Sequence, residues 1–371
     1  MKRLFKSFLI LLWCGNAWAN YSGAEISPTA PTGSAAALST NWLAAVSEVL
    51  PSLSLTDVSS FQATTNLLCE ESRRGNIGAQ GLWGFIVLIQ SRSVEQRTSG
   101  LLLLQNSATN GFVPAMLNMG ILYEGGEHLQ RDYSEARHWF TMAAKKNNSE
   151  GLRHLGRHHH YGLGSARDLA KSVEYYRRAA ELTNHAAMKS LGYMLMNGLG
   201  VNKDTDEARR WFLRAANEAG NRRAMYNLGV LCFAKDSDTN SKVEAYQWFK
   251  QSADLGDALA AFQLASFYRH GWGVVQTNLE TYQYWRYRAA TWGSTTAQYL
   301  MGSAYRTGDG VPKNTSFSIA WYQKSASKKH PAALYDLALH YSPKDWKGLR
   351  RGEKVALSEC GIAPNILSIR R

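Results

Sequence analysis

The chain has 371 residues, a formal net charge of +13 at pH 7, and 45% hydrophobic against 19% charged residues. This apolar content excludes a disordered chain, and the presence of only eight prolines excludes a collagen-like or proline-rich one. The length allows two or three compact domains or one extended array of repeats.

The N-terminal segment has the pattern of a secretory signal peptide. A basic stretch, Met1–Lys6, precedes the apolar run Phe8–Trp13, and the small-residue site Ala17–Ala19 follows. The run is too short to span a bilayer, which needs about 20 residues. We therefore predict a signal peptide over residues 1–19, cleaved after Ala19, a periplasmic or secreted protein, and no transmembrane segment in the mature chain. The basic charge favours an anionic envelope component, and export argues against nucleic acid as a partner.

Two segments lie between the signal peptide and a repeated region. Residues 20–41 are rich in Ser, Ala, Thr, Gly and Pro without hydrophobic periodicity, which is typical of a flexible linker. Residues 42–78 match the register of the following repeats only weakly. We predict that they form a degenerate N-terminal capping repeat, because the end units of such arrays are atypical.

Residues 79–341 repeat with a period of 36 or 37 residues. Each repeat has a small residue, here called the anchor, followed 19 and 20 residues later by a bulky pair and 24 residues later by an alanine. Three columns in one register indicate units that must stack to bury their apolar faces. The anchors are Gly84, Gly120, Gly156, Gly192, Gly229, Ala265, Gly302 and Ala338, and the bulky pairs include Trp139-Phe140, Tyr175-Tyr176, Trp211-Phe212, Trp248-Phe249, Tyr284-Trp285 and Trp321-Tyr322.

Each repeat is predicted to be a pair of helices. In one first helix, Ala187, Leu191 and Leu195 are four residues apart and therefore lie on one face. Glycine turns such as Gly198-x-Gly200 tolerate the positive φ at a helix end. A polar residue twelve positions after the anchor is predicted to cap the second helix. These residues are Asp132, Asp168, Asp204, Ser241, Thr277 and Asn314.

The array is predicted to end in a different structure. Pro343 stops the last first helix, and no regular second helix follows. We predict a basic C-terminal cap and tail over residues 342–371, with a short capping helix between residues 351 and 360.

The repeat resembles Sel-1-like repeats, which are relatives of tetratricopeptide repeats. Its marks are a first helix with a small residue at the anchor, a GxGV turn, a capping Asp and an aromatic pair before two alanines. The match is clear at Ala297, Met301-Gly302, Tyr305, Gly308–Val311 and Trp321-Tyr322. The resemblance covers about residues 79–341 and implies an all-α, right-handed superhelical solenoid that acts as an adaptor for protein complexes. Exported bacterial members of this family serve envelope assembly, secretion or host contact.

The sequence offers little catalytic or metal chemistry. His154 and His158 are four residues apart on a helix and could share a metal, but no nearby cysteine or paired carboxylate completes a site. No nucleophile elbow, zinc motif or P-loop is present, and the cysteine pair per repeat of β-lactam-associated relatives is missing. We predict no enzyme activity, no cofactor and no metal.

The first helices are predicted to present a protein-binding surface. Residues about two positions before and two after the anchor are expected to point away from the core. They include residue types that interfaces favour, although an ordinary solvated concave face is the alternative. The predicted partner-binding residues are His154, His158, Met194, Asn227, Gln263, Phe267, Tyr299 and Tyr335.

The function predicted from these features is that of an exported adaptor, which binds a partner protein through the concave face of the solenoid. Two alternatives belong to other classes. One is an envelope hydrolase that acts on peptidoglycan or β-lactams, and the other is a binder of an anionic glycan or lipid.

Overall fold

A computed structural model of the chain describes residues 61–235, 239–273 and 275–340. Sixteen α-helices and no β-strand occur in these ranges. The signal peptide, the linker and the C-terminal cap and tail lie outside the described residues. The helices are α1 (Phe61–Arg73), α2 (Ile77–Gln90), α3 (Val94–Thr109), α4 (Val113–Gly125), α5 (Tyr133–Lys145), α6 (Ser149–Tyr161), α7 (Leu169–Glu181), α8 (His185–Asn197), α9 (Thr205–Ala219), α10 (Arg222–Lys235), α11 (Thr239–Asp254), α12 (Ala258–His270), α13 (Leu279–Thr291), α14 (Thr295–Thr307), α15 (Thr315–Ala326) and α16 (Pro331–His340).

The helices pack as consecutive hairpins, which confirms the predicted all-α solenoid. From α2 onward, the even-numbered helices are first helices, and each one up to α14 packs against the second helix that follows it. Within the described chain the repeats form two compact units, α1–α9 and α10–α16, with the boundary between Ala219 and Gly220. None of the described helices is long and apolar enough to cross a membrane.

A glycine in the first helix makes room for an aromatic ring of the second. A Cβ built on Gly192 would lie 2.7 Å from the Phe212 ring, and Phe212 is fully buried. Trp211 is only half-buried, and its Nε1 donates a hydrogen bond to Glu207 at 3.1 Å. In this pair the second residue is therefore the core residue. The same glycine–ring contact occurs at Gly120 and Phe140, Gly156 and Tyr176, Gly229 and Phe249, and Gly302 and Tyr322.

The glycine turns have the predicted backbone. Gly198 and Gly200 have φ of +67° and +72°, in the left-handed region that disfavours other residues. Gly198 ends α8, and its backbone N–H donates to carbonyls of the last helical turn. A side chain on Gly200 would also overlap the backbone of Leu169 in the preceding repeat.

Four of the six predicted helix caps are confirmed, and two are wrong. Helix α11 already begins at Thr239, so Ser241 lies inside it. Asn278, and not Thr277, caps α13 and accepts a hydrogen bond from the Thr281 N–H at 2.9 Å. The confirmed caps are Asp132, Asp168, Asp204 and Asn314.

The segment between the anchor Ala265 and the cap Asn278 is one residue longer than the equivalent segment between Gly192 and Asp204. The bulky pair of α13 is therefore shifted relative to its cap. Phe212 lies eight residues after its cap, and the residue eight after Asn278 is Arg286. Tyr284 is 52% exposed, so the prediction that it is a core residue is wrong, whereas Trp285 is half-buried against the core. Arg286 is buried and donates to the Tyr282 hydroxyl at 3.1 Å and to the Asp309 carboxylate at 3.2 Å. Arg286 therefore occupies in this repeat the core position that the Phe212 ring occupies in its own repeat.

Candidate protein-binding surface and a buried histidine cluster

Half of the predicted partner-binding residues are in the core. His154, His158, Met194 and Phe267 are all buried, so the prediction that they point away from the core is wrong. At 100° per residue, the position two after the anchor lies only about 60° from the centre of the apolar face. The buried stripe is wider than three columns because the helices that carry these residues, α6, α8 and α12, each pack against their own partner and against the preceding second helix. In α8 it consists of Ala187, Met188, Leu191, Gly192, Met194 and Leu195.

The other four residues lie together on the first helices of the second unit. Asn227, Gln263 and Tyr299 are half-buried, and Tyr335 is 56% exposed. The two amides lie two residues before their anchors, whereas the two tyrosines lie three before. The column three before the anchor is aromatic in all four first helices, a signal that sequence reasoning missed. We call this surface the first-helix ladder; it consists of Tyr226, Asn227, Phe262, Gln263, Tyr299 and Tyr335.

Neighbouring helices are linked at one end of the ladder. The side chains of Tyr226 in α10 and Gln263 in α12 are hydrogen-bonded. Burial raises the pKa of Tyr226. The Arg223 guanidinium lies 5.9 Å from the Tyr226 ring centroid and 3.6 Å from the Asp257 carboxylate. The ring and amide are thus held in place while part of each remains exposed.

The other end of the ladder is built around Tyr299. Its ring stacks on His330 at a centroid distance of 5.0 Å and is tilted against Tyr322 at 5.6 Å. Burial and the charge of Asp336 raise the pKa of Tyr299, which keeps its hydroxyl protonated. The Asp336 carboxylate in turn accepts a hydrogen bond from Arg306 at 3.3 Å. Such a surface presents ring faces to apolar side chains and amides to a peptide backbone.

The buried histidines of the first unit form a separate polar cluster. The Glu124 Oε2 atom lies 3.4 Å from His154 Nδ1 and 3.6 Å from His158 Nε2. The other carboxylate oxygen of Glu124 is paired with Arg157, and Phe140 stacks on His154 at 4.3 Å. Helices α4, α5 and α6 position these side chains.

The hydrogen bonds of the cluster determine what it can bind. Arg153 Nη2 lies 2.7 Å from His154 Nε2. Because arginine only donates, Nε2 accepts, and neutral His154 carries its proton on Nδ1, which faces Glu124. A protonated Nδ1 is not a metal ligand. Across the described ranges, no group of three or more His, Cys, Asp or Glu side chains is arranged to hold a metal ion.

Burial also sets the charge of these imidazoles. It lowers the pKa of His154 well below the ordinary value, and the neighbouring Arg153 lowers it further. Burial is also the main reason why the pKa of His158 is about 4, with Arg157 contributing in the same direction. Both histidines are therefore neutral near pH 7.

Six segments of the chain match the Sel1 repeat, and together they cover more than half of its length. They are residues 113–148, 149–184, 185–219, 222–257, 258–286 and 295–330. The chain belongs to the Sel1 repeat family. Sel1 repeats build helical solenoids that are typical of protein–protein interaction adaptors and generally lack catalytic activity.

Two curated fungal proteins share part of the Sel1 region. The chain is 30% identical over 139 residues to a chitin synthase regulator of Saccharomyces cerevisiae, an alignment that covers 35% of this chain and 20% of that protein. It is 33% identical over 129 residues to chitin synthase regulatory factor 2 of Schizosaccharomyces pombe, covering 33% of this chain and 25% of that protein. The aligned part thus spans a quarter or less of these curated relatives.

Two solved structures resemble the Sel1 solenoid over most of its length. A protective antigen of uropathogenic Escherichia coli with an SLR fold has a TM-score of 0.61 and 28% identity, over 80% of this chain and 64% of that chain. A Sel1 repeat protein of Oxalobacter formigenes has a TM-score of 0.60 and 25% identity, over 81% of this chain and 88% of that chain.

Proposed function

We propose that this protein is an exported adaptor that binds a partner protein through the first-helix ladder of its second unit. The partner would belong to envelope assembly, secretion or host contact. Export is supported by the signal-peptide pattern of residues 1–19, which lie outside the described residues. The family supports binding as the general role, and the ladder supplies a surface for it.

The observation that carries this proposal is the pattern of the ladder itself. Successive first helices present a tyrosine or phenylalanine at one column and an amide beside it in two of them, all at least partly exposed. Aromatic residues are enriched at protein interfaces, and side-chain amides can both donate to and accept from an extended backbone. Such a surface suits a peptide segment that alternates apolar side chains with backbone polar groups.

The two alternative classes have less support. A hydrolase needs a nucleophile and a base within hydrogen-bond reach. The most conspicuous titratable cluster, around His154 and His158, is buried, and its polar atoms face Glu124 and two arginines. The two curated relatives are described as regulators rather than enzymes, which also supports a binding role. Binding of an anionic polymer does not require the ladder.

Affinity capture from envelope extracts with ladder variants tests this proposal. Tyr335→Ala and Gln263→Ala should each weaken capture of one defined partner about tenfold, because a few residues usually carry most of the energy of an interface. Thermal unfolding should be nearly unchanged, since neither side chain is fully buried. Leu279→Ala is the matched control, because this α13 residue is 62% exposed but lies outside the ladder.

Charge reversal in the tail, at Lys347 and Arg350, provides the contrasting experiment. If the tail variants abolish capture while the ladder variants bind normally, the basic C-terminus is the binding element and the ladder proposal is wrong. Equal losses for Leu279→Ala and the ladder variants would also contradict it.

A further inference from the structure

Two cations occupy equivalent positions on successive second helices of the second unit. Arg288 lies ten residues after the cap Asn278, and Lys324 lies ten residues after the cap Asn314. Equal distance from the cap places both on the same face of their helices. Both are exposed. We call this surface the second-helix cation patch; it consists of Tyr284, Tyr287, Arg288, Trp292, Trp321 and Lys324.

Aromatic rings hold both cations in position. The Arg288 Cζ lies 4.5 Å from the ring centroid of Trp292 and 5.8 Å from that of Tyr284. The Lys324 Nζ lies 4.4 Å from the ring centroid of Trp321. Rings occupy the faces of a guanidinium and leave N–H groups at its edge free to donate to an oxyanion. Tyr287 connects the two sites, because its ring meets Trp321 edge to face at 6.3 Å.

The sequence around Arg288 and Lys324 lacks the acidic neighbours that pair the equivalent cations in the first unit. There, Arg178 lies 4.0 Å from Glu174, and Arg214 lies 3.0 Å from Glu218. Each of these arginines is ten residues after its cap and also lies over a ring. In the second unit, the residues four before and four after the cations carry no negative charge. They are Tyr284 and Trp292 around Arg288, and Ala320 and Lys328 around Lys324.

We propose that the second-helix cation patch binds a polyanionic glycan, a chain of sugar rings that carry carboxylates. Two cations without an acidic partner among the described residues, on the same face of successive repeats, match a polymer with regularly spaced charges. Tyr284 and Tyr287, which are 52% and 49% exposed, offer ring surfaces to the sugars. The exposed aromatic side chains here end in hydroxyls, whereas a bilayer surface favours apolar side chains that can insert. This activity is additional to partner binding at the first-helix ladder.

Binding of the full chain to sodium alginate, a linear polymer of uronic acids, tests this inference. The double variant Arg288→Gln/Lys324→Gln should bind about tenfold more weakly, since two charge-assisted contacts are lost. The matched control is Arg178→Gln/Arg214→Gln. It removes the same charge from the same register but from cations already paired with acids, so its binding should stay within about twofold of wild type. Wild-type binding should weaken as salt rises.

Further measurements separate recognition at the patch from other causes. Arg288→Lys keeps the charge but loses the guanidinium fork, so alginate binding should fall several-fold at an unchanged thermal midpoint. Equal losses in both double variants would mean that only net charge matters. Absence of alginate binding by the wild type, with binding to phosphatidylglycerol vesicles instead, would assign the patch to a membrane surface. Tight binding of neutral dextran would show that the cations are not involved. Each of these last three results would overturn the inference.

Discussion

Neighbouring residues of a bulky pair contribute differently to stability. Phe212 fills the space above Gly192 and has no exposed surface, whereas Trp211 is half-buried and packs beside Arg214. Phe212→Ala should therefore lower the free energy of unfolding by about 3–5 kcal/mol, and Trp211→Ala by clearly less. Urea unfolding followed by circular dichroism measures both. A larger loss for Trp211→Ala would show that the first aromatic, and not the second, is the core residue.

The buried histidines make the protein sensitive to acid. The pKa of His158 is about 4 in the folded chain, against about 6.5 for an exposed histidine. Between these values the unfolded chain binds a proton that the folded chain does not, so stability falls as pH drops from about 6.5 to 4. Above pH 6.5 His158 is neutral in both states, so its protonation does not change the stability. The loss at His158 should be on the order of 3 kcal/mol.

His158→Met isolates this effect. The equivalent position in the next repeat is Met194, which is also buried, so a methionine fits this column. At pH 7 the variant should have a thermal midpoint close to that of the wild type. At pH 4.5 its midpoint should fall less than that of the wild type. Thermal midpoints measured between pH 4 and 8 give the comparison. If both proteins show the same acid slope, His158 does not carry the dependence.

At the scale of the helix hairpin, close approach of the two helices requires glycine at the anchor. Gly192→Ala would place a methyl group 2.7 Å from the Phe212 ring, so the ring or the helix must move. We expect a loss of about 1–3 kcal/mol in unfolding free energy. Gly125→Ala is the control, because this α4 residue has no atom within 4 Å of an added Cβ. It should be neutral or slightly stabilising, and similar losses in both variants would contradict the close-packing account.

Most of the hairpin architecture could be predicted from sequence, because each feature recurs in several repeats and does not depend on the pattern of a single segment. The anchors recur in eight units, the polar cap column in six and the glycine turns in four. Position-specific departures were missed. The extra residue before Asn278 moved the cap and put Arg286 in the core, which a fixed spacing cannot show. The predicted exposure of Met194 and Phe267 failed because burial depends on how many helices surround a face, which the sequence of one helix does not give.

In the whole molecule, the second unit carries two chemically different surfaces. The first-helix ladder combines rings and amides, whereas the second-helix cation patch combines rings with unpaired cations. A protein partner and a polyanionic glycan should therefore bind independently. Variants of one surface should leave the other ligand unaffected. A variant of either surface that weakened both ligands at an unchanged thermal midpoint would mean that the two sites are coupled.

The proposed function requires a partner protein to lie on the first-helix ladder. Site-specific photo-crosslinking tests it most directly, with a photoreactive phenylalanine analogue placed in turn at Gln263, Tyr335 and the control position Leu279. We expect the two ladder positions to crosslink to the same protein and Leu279, although 62% exposed, to give no such product. Crosslinking to that protein from Leu279 but from neither ladder position would contradict it.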